Sequence, residues 1–163
     1  MNMTFSTANL CDMHSGEEHF QIADPIFNAY GGNKLFSGQI TTLKTFEDDV
    51  LVRAILGEKV EGRVLVIDGG GSRHCALIDA PLAMLAIDNG WQGFVIYGCI
   101  RGSASIDKLP IGIRALQTHP LKSHKKDHGD RGLVVNFAGV NFKNDQYLYA
   151  DTDGIIVSGA MLS

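Results

Sequence analysis

The sequence lacks any run of about 18 consecutive apolar residues, the length that a membrane-spanning helix needs. Its first residues, MNMTFSTANLCDMHSGEE, also lack the basic start and the apolar stretch that are typical of a secretory signal peptide. We therefore expect neither a membrane span nor a signal peptide, and we expect the protein to be cytoplasmic.

Cysteine is scarce, and its spacing indicates no paired site. Cys11, Cys75 and Cys99 are an odd number of residues at wide spacing, without the CxxC pair that is typical of a zinc or redox site. This pattern favours a reducing compartment. We expect each cysteine to be a small, buried apolar residue.

An excess of positive charge is missing as well. The chain carries 14 Lys and Arg against 18 Asp and Glu, a formal net charge of −4. Proteins that bind duplex nucleic acid draw most of their affinity from clustered Lys and Arg. The charge balance therefore disfavours direct binding to nucleic acid.

The remaining composition is that of a globular protein. Hydrophobic residues make up 45% and charged residues 20% of the 163 residues, close to the averages for folded domains. The sequence contains no low-complexity block, long Pro/Ser linker or repeat at solenoid periods. We expect residues 1–163 to form a single domain.

The middle of the chain has the pattern of a βαβ unit. Val64–Ile67 is a continuous apolar run that ends in a glycine loop, Gly69–Gly71, as expected for a strand buried on both faces. A helix at about residues 80–89 and a second apolar strand, Gly93–Tyr97, follow. Strands joined in this way lie parallel with a right-handed connection, which predicts an α/β fold.

Other elements follow from local composition. β-branched residues predict a strand over 36–46, acids followed by apolar residues at helical spacing predict a helix over 48–57, and Ser6 can begin a short helix. Two β-rich stretches, 132–142 and 146–157, flank a hairpin-like turn at 143–145. They predict a second β layer near the C-terminus.

The predicted sheet places a candidate pocket at the carboxyl ends of its parallel strands, where open α/β sheets bind ligands. Arg101 follows a buried strand there, and its fork of donors suits a carboxylate or phosphate. A structural ion pair with a nearby Asp is the alternative for Arg101. The start of the predicted helix would add backbone N–H groups, except at Pro81. The candidate anion pocket consists of Arg101, Asp79, Ala80 and Leu82.

Two other motifs are weaker. Gly69–Gly71 lacks the spacing of a phosphate loop or a dinucleotide fingerprint, so a turn that needs positive φ is its simpler interpretation. His124 and His128 have the spacing of helical metal ligands, but their segment has no apolar periodicity and a solvated loop is favoured. No Ser-His-Asp or Cys-His catalytic set can be assigned.

Several segments together resemble one family, that of the regulator of ribonuclease activity A. They are LCDM, YGGNKLFSGQITTLKTFEDD, RVLVIDGGGSRHCALIDAPLAMLA, GWQGFVIYGCIR and YLYADTDGIIV, and they span nearly the whole chain. The family is related to metal-dependent aldolases of 4-hydroxy-4-methyl-2-oxoglutarate, which also decarboxylate oxaloacetate. The resemblance implies a β/β/α swivelling-domain-like layered sandwich that assembles as a homotrimer.

The resemblance also implies a site that this chain keeps only in part. In the aldolases an acid, twenty intervening residues and an Arg-Asp pair mark a site in which the arginine holds pyruvate and the Asp anchors a divalent ion. Arg101 matches the arginine, whereas Ala80 and Gly102 stand at the positions of the two acids. Asp79 is one residue out of register, and Asp107 is too far along the chain. Hard divalent cations need oxygen ligands, so we expect no resident metal and no cofactor.

These observations lead to three hypotheses. The first is that the chain is not an enzyme but a regulator that binds the scaffold region of ribonuclease E and lowers its activity, with DEAD-box RNA helicases as further partners. The alternative is a residual divalent-metal-dependent aldolase or oxaloacetate decarboxylase that acts on 2-oxo acids. A third possibility is that the pocket binds a carboxylate ligand that tunes regulation.

Overall fold

The fold is built around a central mixed sheet. The computed structural model describes residues 4–162 of the chain. The helices are α1 (Thr7–His14), α2 (Val50–Leu56), α3 (Ala80–Asp88) and α4 (Ser103–Ile106). The strands are β1 (Phe20–Ile22), β2 (Asn28–Tyr30), β3 (Phe36–Lys44), β4 (Val64–Asp68), β5 (Ala76–Ile78), β6 (Gly93–Ile100), β7 (Gly112–Thr118), β8 (Asp130–Arg131), β9 (Val135–Phe137), β10 (Val140–Phe142), β11 (Tyr147–Ala150) and β12 (Ile155–Ser158).

The main path of the sheet runs β1-β12-β11-β3-β4-β6-β7-β2, and β5 and β8 pair with β6 and β3 beside this path. Strands β3, β4, β6 and β7 are parallel neighbours. The predicted βαβ unit is confirmed, since β4 and β6 pair in parallel from Val64 opposite Gly93 to Asp68 opposite Tyr97. Continuous apolar sequence suits these strands because both of their faces are covered.

Alternate residues of each central strand enter different cores. Leu65, Ile67, Phe94 and Ile96 pack with α2 and α3 on one face, as the period of two along a strand requires. On the other face, alternate residues of the same strands pack against the β9–β10 hairpin; this second core includes Val64, Val66, Val95, Val135, Phe137, Val140 and Phe142. The resulting order of hairpin, sheet and helices confirms the predicted β/β/α layering.

Helix boundaries follow from their caps. Ser6 accepts a hydrogen bond from the N–H of Asn9 and begins α1, as predicted. The side chain of Asp79 begins α3 in the same way, and Gly90, with φ of +92°, lies just after its end. The structure therefore confirms the predicted helix at about 80–89 to within a residue.

The C-terminal prediction is wrong in one respect. Residues 143–145 do not join the two halves of one hairpin, because each β-rich stretch forms its own hairpin, β9–β10 and β11–β12. Ala138 and Gly139 make the tight turn of the first hairpin with φ values of +52° and +72°, as a two-residue type I′ turn requires. Ala138 gave no turn signal, whereas Asn144 and Asp145 did.

Two further findings concern predicted absences. No helix within residues 4–162 is long and apolar enough to cross a membrane. All three cysteines carry free thiols. Cys75 and Cys99 are buried as predicted, but Cys11 is partly exposed.

Candidate active site at the carboxyl edge of the sheet

Three polar residues follow three neighbouring strands at one edge of the sheet. Asp79 comes directly after β5, Arg101 after β6 and His119 after β7. The N–H of Arg101 donates to the carbonyl of Ile78 at 3.0 Å, and the N–H of His119 donates to the carbonyl of Ile100 at 2.9 Å. These bonds continue the parallel ladders, so Arg101 lies between Asp79 and His119. We call these three residues the edge row.

The side chain of Arg101 is held by the protein through one atom. Its Nη1 donates to the carbonyl oxygen of Pro120 at 3.2 Å. Within residues 4–162, no carboxylate lies within ion-pairing distance of its guanidinium, so the structural ion pair considered above is not formed. A guanidinium has five N–H donors. Most donors of this partly exposed side chain are therefore available to a ligand.

The start of α3 offers fewer free amides than predicted. The Oδ1 atom of Asp79 accepts a hydrogen bond from the N–H of Leu82 at 3.1 Å, which engages that amide. Pro81, in the first turn, has no N–H to donate. The structure thus brings Asp79, Ala80 and Arg101 together but leaves the Leu82 amide occupied. Ligand binding by these four residues stays a prediction.

The two positions at which the aldolases carry acids lie next to each other in space. Gly102 has φ of +68° and precedes α4. A Cβ atom built on it would lie 3.9 Å from the backbone nitrogen of Ala80. The fold therefore brings Ala80 next to Gly102, the residue that follows Arg101, although neither position carries a carboxylate.

These residues do not fit a divalent cation. Asp79 uses Oδ1 as the helix cap, and Oδ1 of Asp107 accepts a hydrogen bond from the N–H of Gly31 at 2.8 Å. In the described part of the chain, no three His, Cys, Asp or Glu side chains are grouped so that they could hold a metal ion. Hard cations such as Mg²⁺ need carboxylate or other oxygen ligands, which this edge does not present within one chain.

The glycine loop beside the edge row is a backbone turn. Gly70 and Gly71 have φ values of +68° and +74°, which glycine adopts without steric cost. The N–H groups of Gly69 and Gly71 each donate to the carbonyl of Tyr97 at 3.1 Å. The N–H of Gly70 donates to Oδ1 of Asp68 at 2.9 Å. These amides are engaged within the protein, so the loop does not form a phosphate cradle.

The segment with the two histidines is an exposed loop, as the sequence favoured. The N–H groups of Lys126 and His128 donate to Oδ2 of the buried Asp48 at 2.9 and 3.0 Å. Burial raises the pKa of Asp48, but hydrogen bonds from the N–H groups of Val50, His128 and Lys126 lower it by more, to a net value below the ordinary one. This carboxylate fixes the loop rather than a metal.

Sequence reasoning missed His119. The signal was its place directly after a strand, like that of Arg101, but β7 itself was not predicted. Residues 112–118, GIRALQT, contain a charged arginine in the middle of the apolar run. Without that strand, His119 could not be placed beside Arg101.

Comparison with known proteins gives a consistent set of relatives. A family model described as RraA-like, Aldolase/RraA, matches residues 7–157. A protein of Methylococcus capsulatus named "Putative 4-hydroxy-4-methyl-2-oxoglutarate aldolase" is 57% identical over 96% of this chain and 97% of its own length. An Arabidopsis thaliana protein with the same name and the number 3 is 47% identical, covering 98% of each chain.

Two solved structures share the fold over nearly their whole length. One, from Geobacillus kaustophilus, is described as an S-adenosylmethionine:2-dimethylmenaquinone methyltransferase; it has a TM-score of 0.93 and 44% identity, with 97% of each chain covered. The other is the RNA-processing inhibitor RraA from Thermus thermophilis, with a TM-score of 0.93 and 35% identity, covering 99% of this chain and 96% of that one.

These relatives correct one expectation. The prediction that this chain is not an enzyme is wrong, because relatives with 57%, 53% and 47% identity carry the name of an aldolase. The prediction rested on the missing carboxylates at Ala80 and Gly102. That prediction gave too much weight to the absence of these two carboxylates and too little to the presence of Arg101.

Proposed function

Because this chain belongs to the RraA-like family, Aldolase/RraA, we propose that it is a carbon–carbon lyase that acts on 2-oxo acids of the 4-hydroxy-4-methyl-2-oxoglutarate type. One observation of the site carries this proposal. Arg101 lies at the carboxyl edge of the sheet with no carboxylate partner in residues 4–162, and its side chain makes a single hydrogen bond, to Pro120.

The chemistry of cleavage explains why such an arginine is useful. When the C3–C4 bond of the substrate breaks, its electron pair passes to C3 and onto the 2-oxo oxygen, which gives a pyruvate enolate. The C4 hydroxyl gives up its proton to water and becomes a carbonyl, and C3 later takes up a proton from water. Two molecules of pyruvate result. A fixed positive group beside the developing enolate stabilises the transition state more than the ground state.

Arg101 supplies that charge on this chain. Its guanidinium would bind the C1 carboxylate with two parallel hydrogen bonds, as arginine does with carboxylates. The nearby start of α3 adds the positive end of a short helix dipole to the same edge. Together they orient the substrate and offset the negative charge that moves toward the 2-oxo oxygen.

The test is a coupled assay of pyruvate release from 4-hydroxy-4-methyl-2-oxoglutarate and from oxaloacetate, each with and without added Mg²⁺ or Mn²⁺. Wild-type protein should release pyruvate faster than buffer with metal alone, and Arg101→Ala should be slower by about 100-fold. Arg53→Ala is the matched control, since Arg53 is exposed on α2. Pyruvate release at the background rate by wild-type protein would reject the proposal.

A second function is favoured by the 35% identical structure described as an RNA-processing inhibitor. In this proposal the chain also binds the scaffold region of ribonuclease E, and DEAD-box helicases are further partners. Its net charge of −4 suits a basic scaffold better than RNA. The test compares RNA cleavage by the full-length nuclease and by a scaffold-deleted form. Equal RNA cleavage with and without this protein would reject this second function.

We propose in addition that the chain assembles as a homotrimer, as the family resemblance implies. Light scattering should then give a solution mass of three chains. A monomeric mass at micromolar concentration would contradict it.

A further inference from the structure

His119 and Arg101 directly follow the last paired residues of two neighbouring parallel strands. The pairing of β6 with β7 brings Ile100 opposite Thr118, and the bond from the N–H of His119 to the carbonyl of Ile100 extends it by one residue. Residues paired in this way have backbones about 4.8 Å apart and side chains that leave the same face. The side chains of His119 and Arg101 therefore start from neighbouring backbone positions.

One short segment fixes both side chains. The N–H of Leu121 donates to Nδ1 of His119 at 3.1 Å, and the carbonyl of Pro120 accepts from Nη1 of Arg101 at 3.2 Å. Because the loop that follows β7 supplies both bonds, the two side chains are held relative to each other as well as to the sheet.

The bond from Leu121 also sets the tautomer of His119. A nitrogen that accepts a backbone N–H carries no proton, so the proton of the neutral ring lies on Nε2. Within the described chain, Nε2 has no hydrogen-bond partner. The edge row thus presents an unpaired neutral donor beside an arginine with several free donors.

This pair of donors matches the head of a 2-oxo acid, in which a carboxylate and a carbonyl oxygen stand on adjacent carbons. We infer that His119 donates its Nε2–H to the 2-oxo oxygen of a ligand whose carboxylate is bound by Arg101. His119 is then the residue that selects 2-oxo acids over simple carboxylates. The inference rests on the proposed use of this edge as the 2-oxo-acid site.

The proposed contact of His119 with the 2-oxo oxygen would also assist the cleavage reaction. The 2-oxo oxygen is the atom on which negative charge develops when the C3–C4 bond breaks. A neutral N–H donor at that oxygen strengthens its hydrogen bond as the enolate forms. His119 would thereby supply part of the stabilisation in a site whose own chain offers no carboxylates for a cation at Ala80 or Gly102.

The experiment compares the binding of two ligands that differ in one atom group. Pyruvate has the 2-oxo oxygen and propionate lacks it, so their ratio of dissociation constants isolates the proposed contact. Calorimetric titrations use wild-type protein, His119→Leu, which removes the donor, and His119→Gln, which returns an N–H near the position of Nε2. His74→Leu is the matched control, because the side chain of His74 is 86% exposed and lies outside the edge row.

Wild-type protein and His74→Leu should bind pyruvate about tenfold more tightly than propionate, as one good hydrogen bond allows. His119→Leu should bind both ligands equally, with propionate affinity unchanged, and His119→Gln should recover most of the preference. If His119 only shapes the loop, His119→Leu weakens both ligands by the same factor, and that result would overturn the inference. A wild-type protein without preference would overturn it too.

A measurement on wild-type protein guards against variants that fail to fold. In spectra of ¹⁵N-histidine-labelled protein, one Nε2 resonance should shift on addition of pyruvate and stay unchanged with propionate. No such resonance means that the inference is wrong. Pyruvate release separates this failure from that of the proposed function: turnover without a histidine contact rejects only the inference, whereas a histidine contact without turnover rejects only the lyase.

Discussion

A Cβ atom built on Gly102 lies 3.9 Å from the backbone nitrogen of Ala80. The two residues are separated by more than twenty positions in sequence, but β6 returns the chain to the start of α3. Because the two sites are adjacent, two carboxylates placed there would face one small volume beside Arg101. The two positions are thus close enough for paired carboxylates to be tested as a cation site.

Introducing those ligands should create a metal site. The double variant Ala80→Asp, Gly102→Asp should bind Mn²⁺ at least tenfold more tightly than wild-type protein, measured by titration calorimetry, because hard cations prefer carboxylate oxygens. Aspartate tolerates the left-handed conformation of Gly102 better than most residues, and an acid suits the first turn of α3.

The amide double variant, Ala80→Asn with Gly102→Asn, is the matched control with the same shape and no charge. It should bind Mn²⁺ no better than wild-type protein. Equal affinities for the acid and amide variants would show that the two positions do not share a cation.

The cap of α3 should contribute measurably to stability. Asp79→Ala removes the acceptor of the Leu82 N–H and should lower the free energy of unfolding by about 1 kcal/mol. Urea denaturation followed by circular dichroism measures this change. Asp79→Asn retains an acceptor oxygen and should remain within a few tenths of a kcal/mol of wild type. A loss of stability in the Asn variant as large as in the Ala variant would argue against the cap.

The attachment of α1 should depend on pH through Asp151. Its carboxylate accepts hydrogen bonds from the N–H and hydroxyl of Thr7 at 2.7 and 2.6 Å. Burial raises the pKa of Asp151, but bonds from Thr7, Asp153 and Gly154 lower it by more, below its ordinary value of 3.8. A carboxyl group with a lowered folded pKa stabilises the fold at higher pH, and this stabilisation is lost as the pH falls below 3.8.

Hydrogen exchange at the amides of α1 measures this attachment. Protection of these amides, relative to an unfolded chain at the same pH, should fall below the ordinary pKa of Asp151, and Asp151→Asn should show the reduced protection already at neutral pH. Asp153→Asn is the control, since its exposed side chain accepts no bond from Thr7. Identical exchange in Asp151→Asn and wild-type protein would contradict the proposed clamp.

The sequence predicted those parts of the fold in which periodicity and burial agree. Val64–Ile67 is apolar on both faces, and such a run has few alternatives to a central parallel strand. The same logic located Arg101, because it follows directly on the second apolar strand. It also predicted the helix between them, whose start is marked by Asp79 and Pro81.

The remaining parts depend on long-range contacts that leave no local pattern. The turn at Ala138 takes positive φ because the β9–β10 hairpin packs on the sheet, not because alanine favours it. His119 entered the site only through the register of β7. The prediction of a non-enzyme failed for a different reason, since it rested on the missing carboxylates at Ala80 and Gly102 and relatives named as aldolases overturn it.

The charged Arg114 lies inside the apolar run of β7, which is why that strand was not predicted from the sequence. The side chain is 5% exposed, and its guanidinium donates to the carbonyls of Ile113, Lys34 and Asp151 at 3.1, 2.8 and 3.0 Å. It also lies over the ring of Phe36, 5.2 Å from the centroid. A charged residue is thus accommodated within an apolar strand because it ties three backbone segments together.

Arg114→Met keeps much of the apolar stem but leaves the carbonyls of Lys34 and Asp151 without this donor. An acceptor left unpaired away from water costs about 1–3 kcal/mol, and these two are partly buried, so the free energy of unfolding should fall by about 2 kcal/mol in urea denaturation. Arg53→Met, on the exposed face of α2, should change it by less than about 0.5 kcal/mol. If Arg114→Met were as stable as wild type, the apolar strand alone would hold β7, and its arginine would need another explanation.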